Sequence, residues 1–416
     1  MSTPGKFTGS APGRIDFLGG VADYSGSLVL EMPVSAVTRV VVTARTTPEF
    51  SFQSPEEGDV ILPGEALLKL LRGRAAPEAI RQWLAEVEAP HWTHYMVGCM
   101  AVLNQARGWT PRTGLDFQVT SGVPQSMGVS SSAALEVATL RALASLARLT
   151  FKGTELARLG QLAENRIVGA PCGLMDQLSS AYGKPGMLLP IVCRPDQLLP
   201  LVRLPRGVAV VGWPSGVKHA VSASPYATAR CAAFMGKKVI ESTFGLKAAH
   251  LSEFRPSWFA QNAETILSEA MQGRDFMLQY GATADALTQV HPEKSYPVRA
   301  ATRFPIQENY RAGLAVKLLS NLRPSHRTAL LEHLGELMLQ SHAGYSAMGL
   351  GCPETDEMVA AAMREGAAKG IYGARVSGGG SGGTVVVLLE EKALPLLLKL
   401  SRKICFHDAG PLPLIR

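Results

Sequence analysis

The chain has 416 residues, of which 46% are hydrophobic and 18% are charged. This balance predicts a packed protein of about two or three domains and excludes a disordered chain or a nucleic-acid-binding tail. The formal net charge of +7 is spread along the chain, which fits a small anionic substrate better than DNA. We therefore expect small-molecule partners, neither nucleic acid nor membrane, and the sequence leaves open whether the protein is a monomer or a homodimer.

Cysteine and histidine spacing gives no sign of a zinc site or a disulfide framework. The six cysteines form no CxxC pair and the nine histidines form no HExxH. The N-terminus lacks a signal-peptide pattern, and no apolar run is long enough to span a bilayer. We therefore expect a cytoplasmic protein with reduced thiols. The leucine-rich, basic stretch from Lys392 to Lys403 fits a membrane-surface helix less well than a core-packed element, because it is short and contains Pro395.

The predicted elements follow from hydrophobic periodicity and from the positions of glycine and proline. Strands around a loop are predicted in residues 7–47, and the second half is predicted to be mostly helical until residue 375. The pattern also predicts helices at 65–72, 77–87, 93–105, 131–149 and 154–167, and strands at 114–120, 186–193, 207–213 and 384–389. The proline-marked segment 195–205 predicts a domain boundary, which gives domains 1–200 and 201–416.

A first glycine-rich loop, APGRIDFLGGVADYSGS, spans residues 11–27. It contains Arg14, Asp16 and Asp23. Charged groups on a loop held by a rigid scaffold often bind substrate, although a surface ion pair is the commoner reason for such residues.

A second loop leads into a helix in SGVPQSMGVSSSAALEVATLRALASL, residues 121–146. The free N–H groups and the positive dipole end of the helix face the loop and can bind phosphate. An ordinary serine-capped helix is the alternative. Three consecutive serines exceed what one cap requires, and the segment therefore predicts a phosphate site.

A third glycine-rich segment, RVSGGGSGG, spans residues 375–383. Its GxGxxG pattern is followed by a β-branched strand, whereas a dinucleotide site needs a helix there. The glycines either let the backbone approach a ligand or form a tight hairpin, and the pattern leaves both open. A GxxxxGK[ST] P-loop is absent from the sequence.

Taken together and in this order, the three segments resemble the three motifs of the GHMP kinases. AENRIVGAPCGLMDQLSSAYG at 163–183, SGVKHAVSASPYATAR at 215–230 and ATRFPIQENYR at 301–311 resemble the galactokinase branch. Within it, GGVADYSGSLVLEMPV at 19–34, KHAV and SHAGYSAMGLG at 341–351 are most similar to L-arabinokinases. The resemblance implies an α+β, two-lobed GHMP kinase fold with the active site between the lobes. It also implies ATP-dependent phosphorylation of a sugar at its anomeric hydroxyl.

The resemblance further implies roles for individual residues. Asp176 would act on the anomeric hydroxyl as base or orienting acceptor, with Arg14 beside it. A neighbouring cation favours an ionised aspartate and stabilises a phosphoryl group in transfer. Ser132 and Glu164 would bind Mg²⁺. The ordinary alternatives are that Asp176 caps a turn and that Glu164 is a surface carboxylate paired with Arg166.

The remaining implied site residues fall into two groups. The ATP-binding residues are Gly128, Ser130, Ser131, Ser132, Ala133, Gly378, Gly379 and Gly380. The sugar-binding residues are Asp16, Gly20, Asp23, Gly173 and Tyr226.

The sugar loop departs from galactokinase at two positions. Galactokinases carry Glu and His where this chain has Gly20 and Val21, whereas Asp23 is retained. The missing glutamate is the group expected near the exocyclic hydroxymethyl, which L-arabinopyranose lacks although it shares the ring stereochemistry of D-galactopyranose. A site without that polar partner suits the pentose. L-arabinose is therefore the predicted acceptor, with D-galactose or a related sugar as the alternative. A non-catalytic sugar sensor is the alternative class, against which the retained site residues argue.

Overall fold

The computed structural model describes residues 5–416 except 171, 195, 218–224, 322–323, 408–409 and 411. Helices and sheets are mixed, as the α+β prediction requires. The chain forms two compact units, each described by itself. The first unit comprises Met1–Arg14, Val34–Pro124 and Ser130–Tyr182, and the second comprises Ile15–Pro33, Gln125–Val129 and Gly183–Arg416.

Two long strands, β1 (Lys6–Leu18) and β2 (Leu28–Ala44), each contribute residues to both units. The other strands of the first unit are β3 (Phe50–Ser54), β4 (Gly58–Leu62) and β5 (Leu115–Ser121). Its helices are α1 (Glu65–Arg72), α2 (Pro77–Glu86), α3 (His91–Arg107), α4 (Ser131–Ala147), α5 (Glu155–Ala163) and α6 (Met175–Tyr182).

The core of the first unit lies between its sheet and its helices. Strand β5 pairs antiparallel with β2 and parallel with β3, which places Phe52 opposite Phe117. The two rings stack 5.1 Å apart, and aromatic pairs of this kind stabilise a sheet face. Helix α4 carries alanines that are fully buried, such as Ala138 and Ala142. Small side chains let the helix pack closely against its neighbours, and this close packing fixes the position of its N-terminus.

The second unit is larger and contains most of the remaining helices. Its strands are β6 (Met187–Cys193), β7 (Asp196–Leu198), β8 (Val202–Arg203), β9 (Val208–Pro214), β10 (Met271–Gln272), β11 (Ser295–Tyr296), β12 (Ile371–Val376) and β13 (Thr384–Glu390). Its helices are α7 (Pro225–Phe244), α8 (Pro256–Trp258), α9 (Gly273–Tyr280), α10 (Val298–Ser320), α11 (Arg327–Ala347), α12 (Pro353–Glu365) and α13 (Leu394–Lys403).

A three-stranded antiparallel sheet, in the order β12–β13–β9, forms one part of the second unit. Strands β9 and β13 are rich in valine, and the hydrophobic residues on all three strands are almost completely buried. Such continuous apolar runs are typical of strands that are covered on both faces. The β12–β13 connection is the third glycine-rich segment, so the sheet holds that loop in place.

The observed units differ from the predicted division at residue 200. The first unit ends at Tyr182, and residues 15–33 and 125–129 belong to the second unit. The physical reason is that β1 and β2 pass through both units, which composition along the chain does not reveal.

The prediction that the Lys392–Lys403 segment packs against the core is confirmed. Helix α13 covers this stretch and buries Leu397 and Leu400 in an apolar cluster. No helix in the described ranges is long and apolar enough to cross a bilayer.

Candidate active site

An ion pair in the first unit joins the two residues predicted to act at the reacting hydroxyl. Nε and Nη2 of Arg14, on β1, both donate to Oδ1 of Asp176, at 2.9 and 2.8 Å. Asp176 lies in the first turn of α6, and it pairs with Arg14 instead of capping the turn after Gly173. Its side chain is 25% exposed, against 5% for Arg14. Oδ2 accepts no hydrogen bond from the described part of the chain. One carboxylate oxygen is therefore able to accept a proton or hydrogen bond from a ligand.

The N-terminus of α4 has the properties of an anion-binding helix end. Ser130 precedes the helix with φ +56° and ψ +51° and makes no side-chain capping bond. Its Oγ is buried, and no described group is hydrogen-bonded to it. The ordinary serine-cap alternative is therefore wrong. The first N–H groups of any helix lack intrahelical partners and lie at its positive dipole end, and here Ser131 and Ser132 carry them. This end of α4 can bind phosphate.

A buried carboxylate lies next to Ser132. Glu164 opens a π-helical turn, Glu164–Val168, that directly follows α5. The Glu164 carboxylate accepts hydrogen bonds from Nε2 of Gln177 at 2.8 Å and from Sγ of Cys172 at 3.3 Å. The Ser132 side chain lies close enough to lower the pKa of Glu164. Glu164 is only 7% exposed. The alternative in which it is a surface carboxylate is therefore wrong.

A second carboxylate, Glu136 on α4, completes this polar cluster and is fully buried. The Gln177 amide donates to both carboxylates, at 3.0 Å to Oε2 of Glu136 and at 2.8 Å to Oε2 of Glu164. Burial raises the pKa of both groups. The charge of Glu164 raises the pKa of Glu136 further, and the charge of Asp176 does the same for Glu164. The two buried glutamates therefore carry a negative charge only at a cost in free energy, which a bound cation would reduce.

The donor set at Ser132 and Glu164 fits a magnesium ion. A hydroxyl and a carboxylate are hard oxygen ligands, and Mg²⁺ usually takes one or two protein carboxylates together with phosphate oxygens and water. The neighbouring negative charge would be offset by a divalent cation. No set of three or more His, Cys, Asp or Glu side chains within the described ranges is arranged to hold a metal. Ser132 and Glu164 would then be the protein ligands, with phosphate supplying further oxygens.

The predicted sugar loop lies in the second unit, as a 3₁₀ turn at Gly20–Ser25 between β1 and β2. Its backbone is held by side chains of two helices. The N–H of Gly19 donates to Oε1 of Glu308 on α10 at 2.7 Å, and the N–H of Val21 donates to Oη of Tyr345 on α11 at 3.0 Å. These bonds hold the loop backbone in one conformation.

Two predicted sugar contacts, Asp23 and Tyr226, lie in the same neighbourhood of the second unit. Both interact electrostatically with Arg230 on α7, and both are partly exposed. The Arg230 guanidinium is itself fixed by Asp285, through two hydrogen bonds of 2.8 Å. Both polar groups therefore lie beside a cation whose position is fixed. The KHAVSAS segment, residues 218–224, lies outside the described residues.

The third glycine-rich segment forms the hairpin between β12 and β13. A Cβ added at Gly378, which has φ +71°, would lie 2.9 Å from the carbonyl oxygen of Gly128. Oγ1 of Thr384 donates to the carbonyl of Met127 at 2.8 Å. The hairpin alternative is thus correct, and the glycines also let the hairpin backbone approach the 125–129 segment closely. As predicted, a strand follows the glycines where a dinucleotide site would have a helix.

Three further predicted residues have definite positions in the structure. Asp16 is fully buried, and its Oδ2 accepts the N–H of Gly378 at 2.7 Å. Its carboxylate thereby anchors the hairpin, while contact with a sugar remains a prediction. Gly173, just before α6, and Gly379, at the tip of the hairpin, are partly exposed.

The sequence prediction missed four polar residues around these clusters. Gln177 follows Asp176 directly, and Glu136 lies within the serine motif, so proximity in sequence was the available signal. The other two, Tyr345 and Arg375, carry no local pattern that points to the sugar loop.

Comparison with known proteins identifies the family. A family model described as GHMP kinases N terminal domain matches residues 94–184, and one described as GHMP kinases C terminal matches residues 327–403. Galactokinase of Bos taurus is 31% identical over 94% of this chain and 85% of its own length. The chain belongs to the GHMP kinases. L-arabinokinase of Arabidopsis thaliana is 32% identical to this GHMP kinase over 92% of the chain, which spans 42% of that relative. The predicted galactokinase branch is thereby confirmed.

Solved structures confirm the predicted GHMP kinase fold. Galactokinase of Lactococcus lactis complexed with galactose matches with a TM-score of 0.75 and 21% identity, over 98% of this chain and 92% of the other. Mevalonate kinase of Methanococcus jannaschii matches with a TM-score of 0.59 and 15% identity, over 100% and 97% of the two chains. At these identities the likeness concerns the fold alone.

Proposed function

We propose that this GHMP kinase transfers the terminal phosphate of ATP to the anomeric hydroxyl of L-arabinose. The observation that carries the reaction class is the Arg14–Asp176 pair, in which one oxygen of a partly exposed carboxylate has no described partner. Its neighbours in the first unit, Ser132 and Glu164, supply hard oxygen ligands at the N-terminus of α4. An acid, a cation and a phosphate-binding helix end are the groups that phosphoryl transfer to a hydroxyl requires.

In the proposed mechanism Asp176 receives the proton of the attacking hydroxyl. The anomeric oxygen forms a bond to the terminal phosphorus of ATP, the bond to the bridging oxygen breaks, and ADP leaves. The proton passes to Oδ2 of Asp176 and then to water. Arg14 holds the carboxylate through Oδ1 and so keeps Oδ2 directed away from the ion pair. Because phosphoryl transfer has a loose transition state, this positioning contributes more than strong basicity.

The helix end and its neighbours would bind the nucleotide phosphates. First-turn N–H groups of Ser131 and Ser132 are positioned to donate to phosphate oxygens. Magnesium, when bound, would offset negative charge on those oxygens. Gln177 donates to the Glu164 carboxylate at 2.8 Å and so fixes the group that would bind this ion.

Gly20 is the main support for a pentose as the acceptor. This position of the sugar loop has no side chain that could bind an exocyclic hydroxymethyl. Asp23 and Tyr226 are the proposed partners of the ring hydroxyls. A site that lacks a hydrogen-bond partner for the hydroxymethyl discriminates against galactose by the free energy of one hydrogen bond, roughly 1 kcal/mol.

The six cysteines are free thiols, which supports a reducing, cytoplasmic setting for the reaction.

An ADP-release assay with a panel of sugars tests this function. We expect ATP- and sugar-dependent ADP release, with kcat/KM higher for L-arabinose than for D-galactose. A far higher kcat/KM for galactose would contradict the proposed acceptor. Sugar binding without ADP release from any sugar would instead indicate a sensor and contradict the enzymatic function.

A further inference from the structure

The side chain of Tyr345 occupies the space that a side chain at position 20 would need. Gly20 has φ +47°, and a Cβ added there would lie 2.0 Å from Oη of Tyr345. It would also lie 3.1 Å from Nη2 of Arg375. Carbon and oxygen do not approach to 2.0 Å without bonding, so one of the two groups would have to move. Residue 20 is therefore a glycine for two reasons, its left-handed backbone and the tyrosine hydroxyl.

The Tyr345 hydroxyl is not free to move away. It accepts the N–H of Val21 at 3.0 Å and donates to the carbonyl of Gly378 at 2.9 Å. Tyr345 is fully buried, and its ring packs edge-on against Phe304 at 5.3 Å. Displacing the hydroxyl would leave two buried backbone groups without a partner. The tyrosine is thus fixed by both hydrogen bonds and packing.

Tyr345 also joins two of the motifs within the second unit. Val21 belongs to the sugar loop, and Gly378 belongs to the glycine hairpin. The guanidinium of Arg375 lies 5.1 Å from the centre of the Tyr345 ring, and its Nη1 donates to the carbonyl of Asp16 at 3.3 Å. A change at Tyr345 would therefore reach the sugar loop and the hairpin together.

We propose, resting on the sugar specificity proposed above, that Tyr345 is a specificity-determining positioning residue. It fills the volume in which a galactokinase-type glutamate would begin and fixes the Gly20–Val21 peptide of the sugar loop. Position 20 therefore cannot gain a side chain while Tyr345 is in place. Restoring a carboxylate at position 20 requires removal of the tyrosine.

A stability cycle tests the steric part without any activity measurement. Gly20→Ala is made in the wild-type and in the Tyr345→Leu background. Gly153→Ala is the matched control, because Gly153 has φ +52° and no atom within 4 Å of an added Cβ. We expect Gly20→Ala to lower Tm by several degrees more than the control in the wild type. In the Tyr345→Leu background this excess should disappear.

The outcomes of this cycle are decisive even where a variant folds poorly. If Gly20→Ala alone does not fold, recovery of folded protein in Gly20→Ala/Tyr345→Leu supports the steric arrangement. An equal loss in both backgrounds, or a Gly20→Ala variant as stable as the Gly153→Ala control, would overturn it.

A kinetic comparison tests the specificity part. Gly20→Glu/Tyr345→Leu should raise the galactose to L-arabinose ratio of kcat/KM by about tenfold or more, whereas neither single substitution should do so. Tyr345→Phe should raise KM for the sugar more than it lowers kcat, because it loosens the loop without touching the reacting atoms. An unchanged ratio in a folded double variant would overturn the specificity role. A wild-type preference for galactose would contradict the proposed acceptor instead, and the stability cycle would still judge the steric arrangement.

Discussion

Replacing Asp176 by asparagine separates its chemical role from its structural role. Both hydrogen bonds from Arg14 converge on Oδ1, at 2.9 and 2.8 Å. Asparagine keeps an oxygen there and places an amide nitrogen at the position of Oδ2. The ion pair becomes a pair of hydrogen bonds to a neutral acceptor. Since the Asp176 side chain is 25% exposed, we expect the free energy of unfolding to fall by only about 1 kcal/mol.

The effect on turnover should be much larger. A positioned proton acceptor typically contributes roughly 10²- to 10⁴-fold to rate, which corresponds to about 3–5 kcal/mol in the activation barrier. We therefore expect kcat in the ADP-release assay to fall at least about a hundredfold, with urea unfolding nearly unchanged.

Asp116→Asn is a matched control for this substitution. Asp116, on β5 of the same unit, also pairs with an arginine, Arg45, and it takes no part in the proposed site. The control should change stability by a similar amount and leave kcat unaltered. A folded Asp176→Asn variant that keeps more than about a tenth of wild-type kcat would refute the role of Asp176 as proton acceptor.

Three further predictions concern the supporting residues. Gln177→Leu removes the donor shared by two buried carboxylates and should lower the free energy of unfolding by about 1–3 kcal/mol in urea titration; unchanged stability would show that the bridge contributes nothing. Gly378→Ala forces a Cβ to 2.9 Å from a carbonyl and should raise KM for ATP, whereas Gly349→Ala, at φ +79° with open space around it, should not; equal effects would remove the steric reason. Burial alone would raise the pKa of Asp285, but hydrogen bonds, chiefly from Arg230, outweigh it and lower that pKa below 3.8. The stabilisation from Asp285 is therefore fully present above the unfolded pKa and is lost as pH falls through the folded pKa. The difference in unfolding free energy between wild type and Asp285→Asn should be constant above about pH 5 and shrink below about pH 4; a difference that grows on acidification would contradict this sign.

Local elements of the fold were predictable because their signals are local. The predicted helix at 65–72 coincides with α1, and the predicted start at Ser131 coincides with the start of α4. The helix predicted over 154–167 differs in kind, since its last turn is a π-helical segment that begins at Glu164. That turn places the Glu164 carboxylate against Gln177, and no residue preference along the helix signals it.

Contacts between distant residues could not be predicted from one sequence. Val21 and Tyr345 are 324 residues apart along the chain, and only the packing of α11 against the sugar loop brings them together. For the same reason the sequence shows only that Gly20 offers no polar side chain to a sugar. It gives no sign that Tyr345 occupies the space next to Gly20. The exchange of chain segments between the two units likewise depends on long strands that composition cannot reveal.

A competition assay with L-arabinose and D-galactose at equal concentration tests the central claim most directly. With limiting ATP, the ratio of the two sugar phosphates equals the ratio of their kcat/KM values, and ³¹P–¹H coupling to the anomeric proton identifies the phosphorylated hydroxyl. We predict that L-arabinose 1-phosphate is the main product. A mixture dominated by galactose 1-phosphate, or a phosphate attached to another hydroxyl, would contradict the account.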